Sequence, residues 1–205
     1  MSSPTTYRTH HEDRPAKAAA TTPAFRVEAI ASDHLDRIRA AGRDDFGNPF
    51  DVTVDVDGGS PLRCCLRPTE PGERIALIAH SPSPGPGPYA EVGPVFVHAE
   101  ACRGYQTPAQ YPPGYRDWAP MIFRPYDASG AMVYPALAMV EAEHAERVIA
   151  TMLADPGIEL IHARNVYAGC FMFTIHRQPA LAESERQLDL SDGAGGGADR
   201  GLDGG

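Results

Sequence analysis

The sequence predicts an α+β domain, a largely antiparallel sheet or small open barrel with two helices, carried between disordered N- and C-terminal tails. Three observations predict it. Short alternating apolar runs recur between Pro- and Gly-rich loops, only two stretches hold a helical period, and both chain ends lack apolar periodicity. The 205 residues include 20 Gly and 20 Pro, and that length leaves room for one hydrophobic core and some tail. Residues 1–23, rich in Ser, Thr, Ala and Pro, read as a disordered arm. Residues 178–205 read as a disordered acidic, Gly-rich tail, with six acids against two Arg between Pro179 and Gly205. Residues 24–177 are then the single domain.

Within it, Phe25 to Ile30 alternates as a strand, and Ser32 stands where a side chain caps the helix Asp33 to Ala41, with Leu35, Ile38 and Ala41 facing inward. Gly42 ends that helix. Asp44 to Phe50 is turn chemistry, and Val52, Val54 and Val56 alternate before the turn Asp57-Gly58-Gly59, which predicts a hairpin returning along Leu62 to Arg67. Further strands are expected at Arg74 to His80, Pro94 to Ala99, Met121 to Tyr126 and Met132 to Ala136. Glu141 to Ala154 is the stronger helix, with Ala145, Val148, Ile149 and Met152 on one face, and Pro156-Gly157 stops it. Ile158 to Ala163 and Cys170 to His176 close the domain, for about eight strands in all.

Alternation also sorts the reactive side chains, because successive strand residues face opposite ways. Leu62, Cys64 and Leu66 fall on one side and Arg63, Cys65 and Arg67 on the other. Cys65 would then lie between guanidinium groups, where positive charge favours a thiolate. Phe171, Phe173 and Ile175 are the apolar set of the last strand, opposite Cys170, Met172 and Thr174. The same logic puts His98, Arg124, Tyr126, His162 and Arg164 on faces that converge with Arg63, Cys65 and Cys170 if one sheet surface carries them. Forked guanidinium donors suit a carboxylate or phosphate, so an anionic small molecule is the expected ligand. Its binding set is Arg63, Glu91, Arg124, Tyr126, Arg164 and Asn165, with Cys65 or Cys170 as nucleophile and His98 or His162 as general base.

Other classes fit less well. A net charge of −9 opposes nucleic-acid binding, which needs a basic footprint. The longest apolar runs, such as Ile75 to Ala79, are strand-sized, so no membrane span is expected. The first 24 residues lack the apolar core of a secretory signal, and four Cys do not make a disulfide scaffold, so a cytoplasmic protein with reduced thiols is expected. The sequence has no G-x-S-x-G, P-loop, G-x-G-x-x-G or H-E-x-x-H and names no cofactor. His98-Ala99-Glu100 matches the H-x-E of zinc deaminases but lacks the downstream P-C-x-x-C. His98, Cys102, His162 and Cys170 have the ligand types of tetrahedral zinc, yet only long-range geometry could gather them, and no metal is assigned.

Four ordered blocks carry a family resemblance. Arg43 to Phe50, Pro61 to Arg67, Tyr89 to Ala99, and Ala163 to Val166 followed by Gly169 to Phe171 resemble the bacterial family called domain of unknown function 1203, over about Phe25 to Arg177. The resemblance implies a bacterial protein with a core of this length and brings no activity with it. Two functional classes therefore stand: an anion site with thiol chemistry, and a non-catalytic binding or interaction module, with the His/Cys zinc protein behind them.

Overall fold

The computed structural model describes residues 25–83 and 85–178, so the expected arm and nearly all of the expected tail lie outside the described residues. Two open antiparallel sheets form among these residues, with order β1-β8-β7-β5-β6 in the larger and β2-β3-β4 in the smaller. The larger is built from β1 (Phe25–Glu28), β5 (Met121–Tyr126), β6 (Ala138–Val140), β7 (Leu160–Asn165) and β8 (Phe171–Arg177). The smaller has β2 (Val52–Asp55), β3 (Glu73–His80) and β4 (Gly93–His98). With helices α1 (Ser32–Ala41) and α2 (Ala145–Leu153) this is the expected α+β class, without barrel closure.

Each sheet buries one apolar face under one helix. Met121, Phe123, Ile161 and Phe173 of the larger sheet share a core with Ile149 and Leu153 of α2. Ala76, Ile78, Val95 and Val97 of the smaller sheet share theirs with Leu35 and Ile38 of α1, each large aliphatic side chain contributing about 1.5–3 kcal/mol. Gly42 ends α1 as expected, with φ 65° and its N–H donating to Arg39 O at 3.2 Å. Ala41 is exposed. Ser32 is the first helical residue rather than the cap, since Ala31 takes the extended cap conformation and no side chain caps the turn. The stretch before α2 starts as a 3-10 turn, Ala142–His144. Tyr134–Ala136 is likewise a 3-10 turn, and the expected strand moves to Ala138–Val140, where it pairs with Met121 to Phe123.

The largest departure is Leu62 to Arg67, which is a tight turn rather than a hairpin return. Strand β2 pairs with β3 instead. Pro61 and Pro68 bridge across the base of the turn, and Leu66 closes it at φ 57°. Tyr115 plugs it from below, its hydroxyl donating to Leu62 O at 2.9 Å, while Gly114 lies so close that a Cβ would stand 2.8 Å from Arg67 Cα. Leu62, Cys64 and Leu66 are buried, as alternation implied, but Arg63 is buried with them. A second departure is a register shift at Ala163/Arg164, which leaves Phe171 opposite Arg164. Such an irregularity re-aims a side chain. Phe171 joins the smaller core and Met172 joins Phe173 and Ile175 in the larger one, so the expected parity of β8 is broken at its first residues.

Candidate functional site

A cavity of about 840 Å³ opens where the strand faces not used by the helices meet. Strand β5 supplies Arg124 and β7 supplies Arg164, the smaller sheet supplies Leu77 and Phe96, and Trp118 and Phe171 complete the apolar wall. The turn Pro61 to Pro68 delivers Arg63, and the β7–β8 connection delivers Cys170.

Glu91, at the end of the loop before β4, sits between two of the cations. Arg124 Nη1 donates to its Oε1 at 2.8 Å, and Arg164 Nη2 forms an ion pair with its Oε2. Arg164 Nε is buried and has no hydrogen-bond partner among the described residues. Arg63, only 1% exposed, donates from Nε to Phe171 O at 2.7 Å, from Nη1 to Pro61 O, and from Nη2 to Cys170 Sγ at 3.0 Å. No carboxylate among the described residues pairs with it. The cavity thus gathers three guanidinium groups against one carboxylate.

Beside this wall, the rings of Tyr126 and His162 lie 4.7 Å apart, and His162 meets Phe171 edge-on at 5.5 Å. Neither ring nitrogen of His162 has a hydrogen-bond partner among the described residues. Burial, with Arg164 adding repulsion, pushes His162 down to about 3, and burial with His34 nearby pushes His80 down to about 4. Both are therefore neutral imidazoles at neutral pH. Burial raises the Tyr126 hydroxyl, so it remains protonated there.

Six of the expected residues, Arg63, Glu91, Arg124, Arg164, Asn165 and Cys170, line one cavity. Asn165 spends its side chain on the hairpin turn, where Oδ1 accepts from Tyr167 and Ala168 N–H at 2.9 Å each. Tyr126 and His162 adjoin the cavity and line a neighbouring depression. Cys65 and His98 lie elsewhere. They meet Cys64 and Cys102 in a separate cluster whose four ligand-type atoms are within 4.8 Å of one another. The Cys65 thiol is pushed up by its hydrogen bonds with Cys102 and Cys64, rather than down by the flanking Arg residues.

The sequence grouping of His98 and Cys102 with His162 and Cys170 is likewise not what folds: Cys64 and Cys65 take the latter two places. The adjacent cysteines and the His98-x-x-x-Cys102 spacing were the signal for this cluster. Alternation concealed it, because a strand would separate Cys64 from Cys65. Trp118, His80 and Phe171 also border the cavity, and of these only Phe171 lies in a block that carries the family resemblance.

No curated protein and no solved structure matches this chain. The model of the family described as Protein of unknown function (DUF1203) matches residues 59–177, more than half of the chain. Three of the four resemblance blocks fall inside that span, while Arg43 to Phe50 precedes it. The chain belongs to this family.

Proposed function

We propose that this member of the family binds a small molecule carrying a carboxylate or phosphate on an apolar, ring-sized body. The carrying observation is Arg63, a buried cation on the cavity wall without a carboxylate partner among the described residues. A buried charge is costly to maintain unless it has a use or full compensation. The two carbonyls orient Arg63 without neutralising it, and its remaining partner is a thiol. Arg164 Nε adds a buried donor without a hydrogen-bond partner among the described residues. The body of the ligand follows from Leu77, Phe96, Trp118 and Phe171, since pockets of this size are lined mainly by apolar groups with a few polar anchors.

Binding takes precedence over turnover because no histidine is hydrogen-bonded to Cys170 among the described residues, as a Cys/His nucleophile pair needs. The acidic net charge supports a small anion over nucleic acid. No helix among the described residues is long and apolar enough to cross a membrane, and the four free thiols support a reducing compartment, the bacterial cytoplasm.

Phenyl phosphate and benzoate test the proposal against benzyl alcohol and benzamide as neutral counterparts, read by thermal shift and titration calorimetry. The anions should stabilise the protein and their affinity should fall with added salt. Arg124→Gln, which changes the most exposed of the three cations, should weaken them about tenfold, the loss of one charge-assisted hydrogen bond. Equal stabilisation by the neutral compounds, or no effect of Arg124→Gln, would overturn it.

A further inference from the structure

Outside the cavity, three cysteines and a histidine from separate segments meet at one point. Cys64 and Cys65 come from the turn bridged at Pro61 and Pro68, His98 ends β4, and Cys102 follows in the next loop. Cys64 Sγ lies 3.4 Å and Cys65 Sγ 3.8 Å from His98 Nδ1, and the two sulfurs are 4.0 Å apart. All four atoms, with Cys102 Sγ, fall within 4.8 Å. A tetrahedral zinc with Zn–S of about 2.3 Å and Zn–N of about 2.0 Å spaces its ligand atoms by about 3.5–3.8 Å. A disulfide would instead need sulfurs at about 2.05 Å.

We infer that Cys64, Cys65, Cys102 and His98 Nδ1 bind a structural zinc ion. The surroundings of the four atoms fit this independently. A metal-ligating histidine ordinarily gives its other ring nitrogen to a carboxylate, which fixes the tautomer and the ring. His98 Nε2 faces Glu73 Oε1 at 3.4 Å. Arg67 clamps that carboxylate with two donors, at 2.8 and 2.6 Å, and its Nη2 lies 3.3 Å from the ring nitrogen. Three thiolates and one neutral imidazole around a divalent ion leave one net negative charge, and the adjoining guanidinium opposes it. A backbone donor also reaches one of the sulfurs, His98 N–H to Cys64 Sγ at 3.4 Å. Hydrogen bonds of this kind tune metal-bound thiolates.

Four protein ligands fill a tetrahedral ion, so the site is closed and its role is structural rather than catalytic. It ties the turn holding Cys64 to the end of β4 and to the loop beyond. Arg63 is the next residue on that turn, so the ion would also hold the cavity wall in place. Such a staple suits a region of sparse secondary structure, because metal binding adds directly to folding free energy.

Metal analysis of full-length protein, purified without chelator or affinity metals, is the test. About one zinc per chain is expected. Titration with a disulfide reagent under native conditions should find Cys170 reactive and the other three thiols protected until a chelator removes the ion. Cobalt added to the chelated protein should give the d–d bands and sulfur-to-metal charge transfer of a tetrahedral thiolate site. Cys102→Ser should lose the zinc and Cys170→Ser should keep it, while Glu73→Gln should weaken zinc about 10–100-fold, as expected for a lost outer partner. If Cys102→Ser fails to fold, thiol protection and cobalt spectra of the wild-type chain decide. Stoichiometric iron or copper, a Cys64–Cys65 disulfide by mass spectrometry, or reduced protein that takes up neither zinc nor cobalt would overturn the inference.

Discussion

Arg63 Nη2 donates a hydrogen bond to Cys170 Sγ at 3.0 Å, across 107 positions of sequence. The contact holds the sulfur on the wall of an open cavity, where a reagent in solvent reaches it, while Cys64, Cys65 and Cys102 are gathered around His98. Cys170 should therefore be the first thiol alkylated by iodoacetamide at pH 7, with the fast phase absent in Cys170→Ser. Peptide mass mapping of a time course reads this. Labelling first at Cys64, Cys65 or Cys102 would remove the thiol of Cys170 from any functional account.

The same arginine should matter more to stability than its neighbour on β5. Arg63 ties Phe171 O, Pro61 O and Cys170 together from a buried position. Arg63→Ala leaves those carbonyls without their charged donor, and should cost about 2–4 kcal/mol in urea unfolding. Arg124 is one of two partners of a half-exposed carboxylate, so Arg124→Ala should cost less than about 1 kcal/mol. Similar losses from both variants would mean that Arg63 is not the structural anchor of the turn.

Glu91 occupies the place between Arg124 and Arg164 that a ligand carboxylate would take. An anion entering the cavity competes with it for both guanidinium groups. Glu91→Gln should accordingly tighten phenyl phosphate by about tenfold, the equivalent of about 1.4 kcal/mol, with the greatest gain at low salt. Calorimetry on the two proteins measures it. Weaker binding in Glu91→Gln would instead make Glu91 a ligand-contacting group, and would point to a zwitterionic or cationic molecule.

Most of the fold was legible because strands such as β4 and β5 keep period two over most of their length. Met121 to Tyr126 forms with the expected bounds, and Val95 and Val97 are buried as their parity requires. Failures came where tertiary contacts override periodicity. Leu62 to Arg67 alternates like a strand, but the prolines at either side, the bridge between them and the Tyr115 hydroxyl curl it into a turn. The β7–β8 register shift then moves Phe171 to the cavity side, which no local pattern encodes. Arg124 and Arg164 still reach the cavity, because β5 and β7 pair with each other in unbroken register. Cys65 and His98 do not, because their partners depend on the curl.

Asp44 shows how a polar loop can be fixed by one carboxylate. Its Oδ1 accepts from Phe46 N–H at 3.0 Å and Asn48 N–H at 2.9 Å, and its Oδ2 accepts from Ala79 N–H of β3 at 2.7 Å. Burial opposes the charge, yet the Asn48 side chain and these N–H groups hold the acid below the ordinary carboxylate range. Asp44→Ala should cost about 2–3 kcal/mol, since it leaves buried donors unpaired. Hydrogen exchange should speed up at Ala79, Phe46 and Asn48 more than elsewhere. Unchanged exchange at Ala79 would show that the loop is held by its apolar contacts instead.

Acid should weaken the fold through His162 before most carboxylates titrate. His162 is 2% exposed, flanked by Tyr126 and Phe171, with Arg164, Arg124, His176 and His80 as the charged or titratable groups that oppose its protonation. Its folded value, about 3, lies below the ordinary 6.5. Between these values the unfolded chain binds the proton and the folded chain does not, so stability rises with pH across the window and is fully present above about 6.5. As pH falls from 6.5 toward 3, the loss should approach about 1.4 kcal/mol per pH unit from this one group. His80, held down to about 4, contributes in the same direction over a shorter window. His162→Phe replaces the imidazole by an apolar ring between two aromatic neighbours, and should flatten the wild-type slope between pH 6.5 and 4.5 by about 1 kcal/mol per unit. Urea unfolding of both proteins at three pH values gives the difference directly, with the remaining acid-sensitive groups common to both. Parallel slopes would mean that His162 is protonated in the folded state, and that its two nitrogens have partners which keep it so.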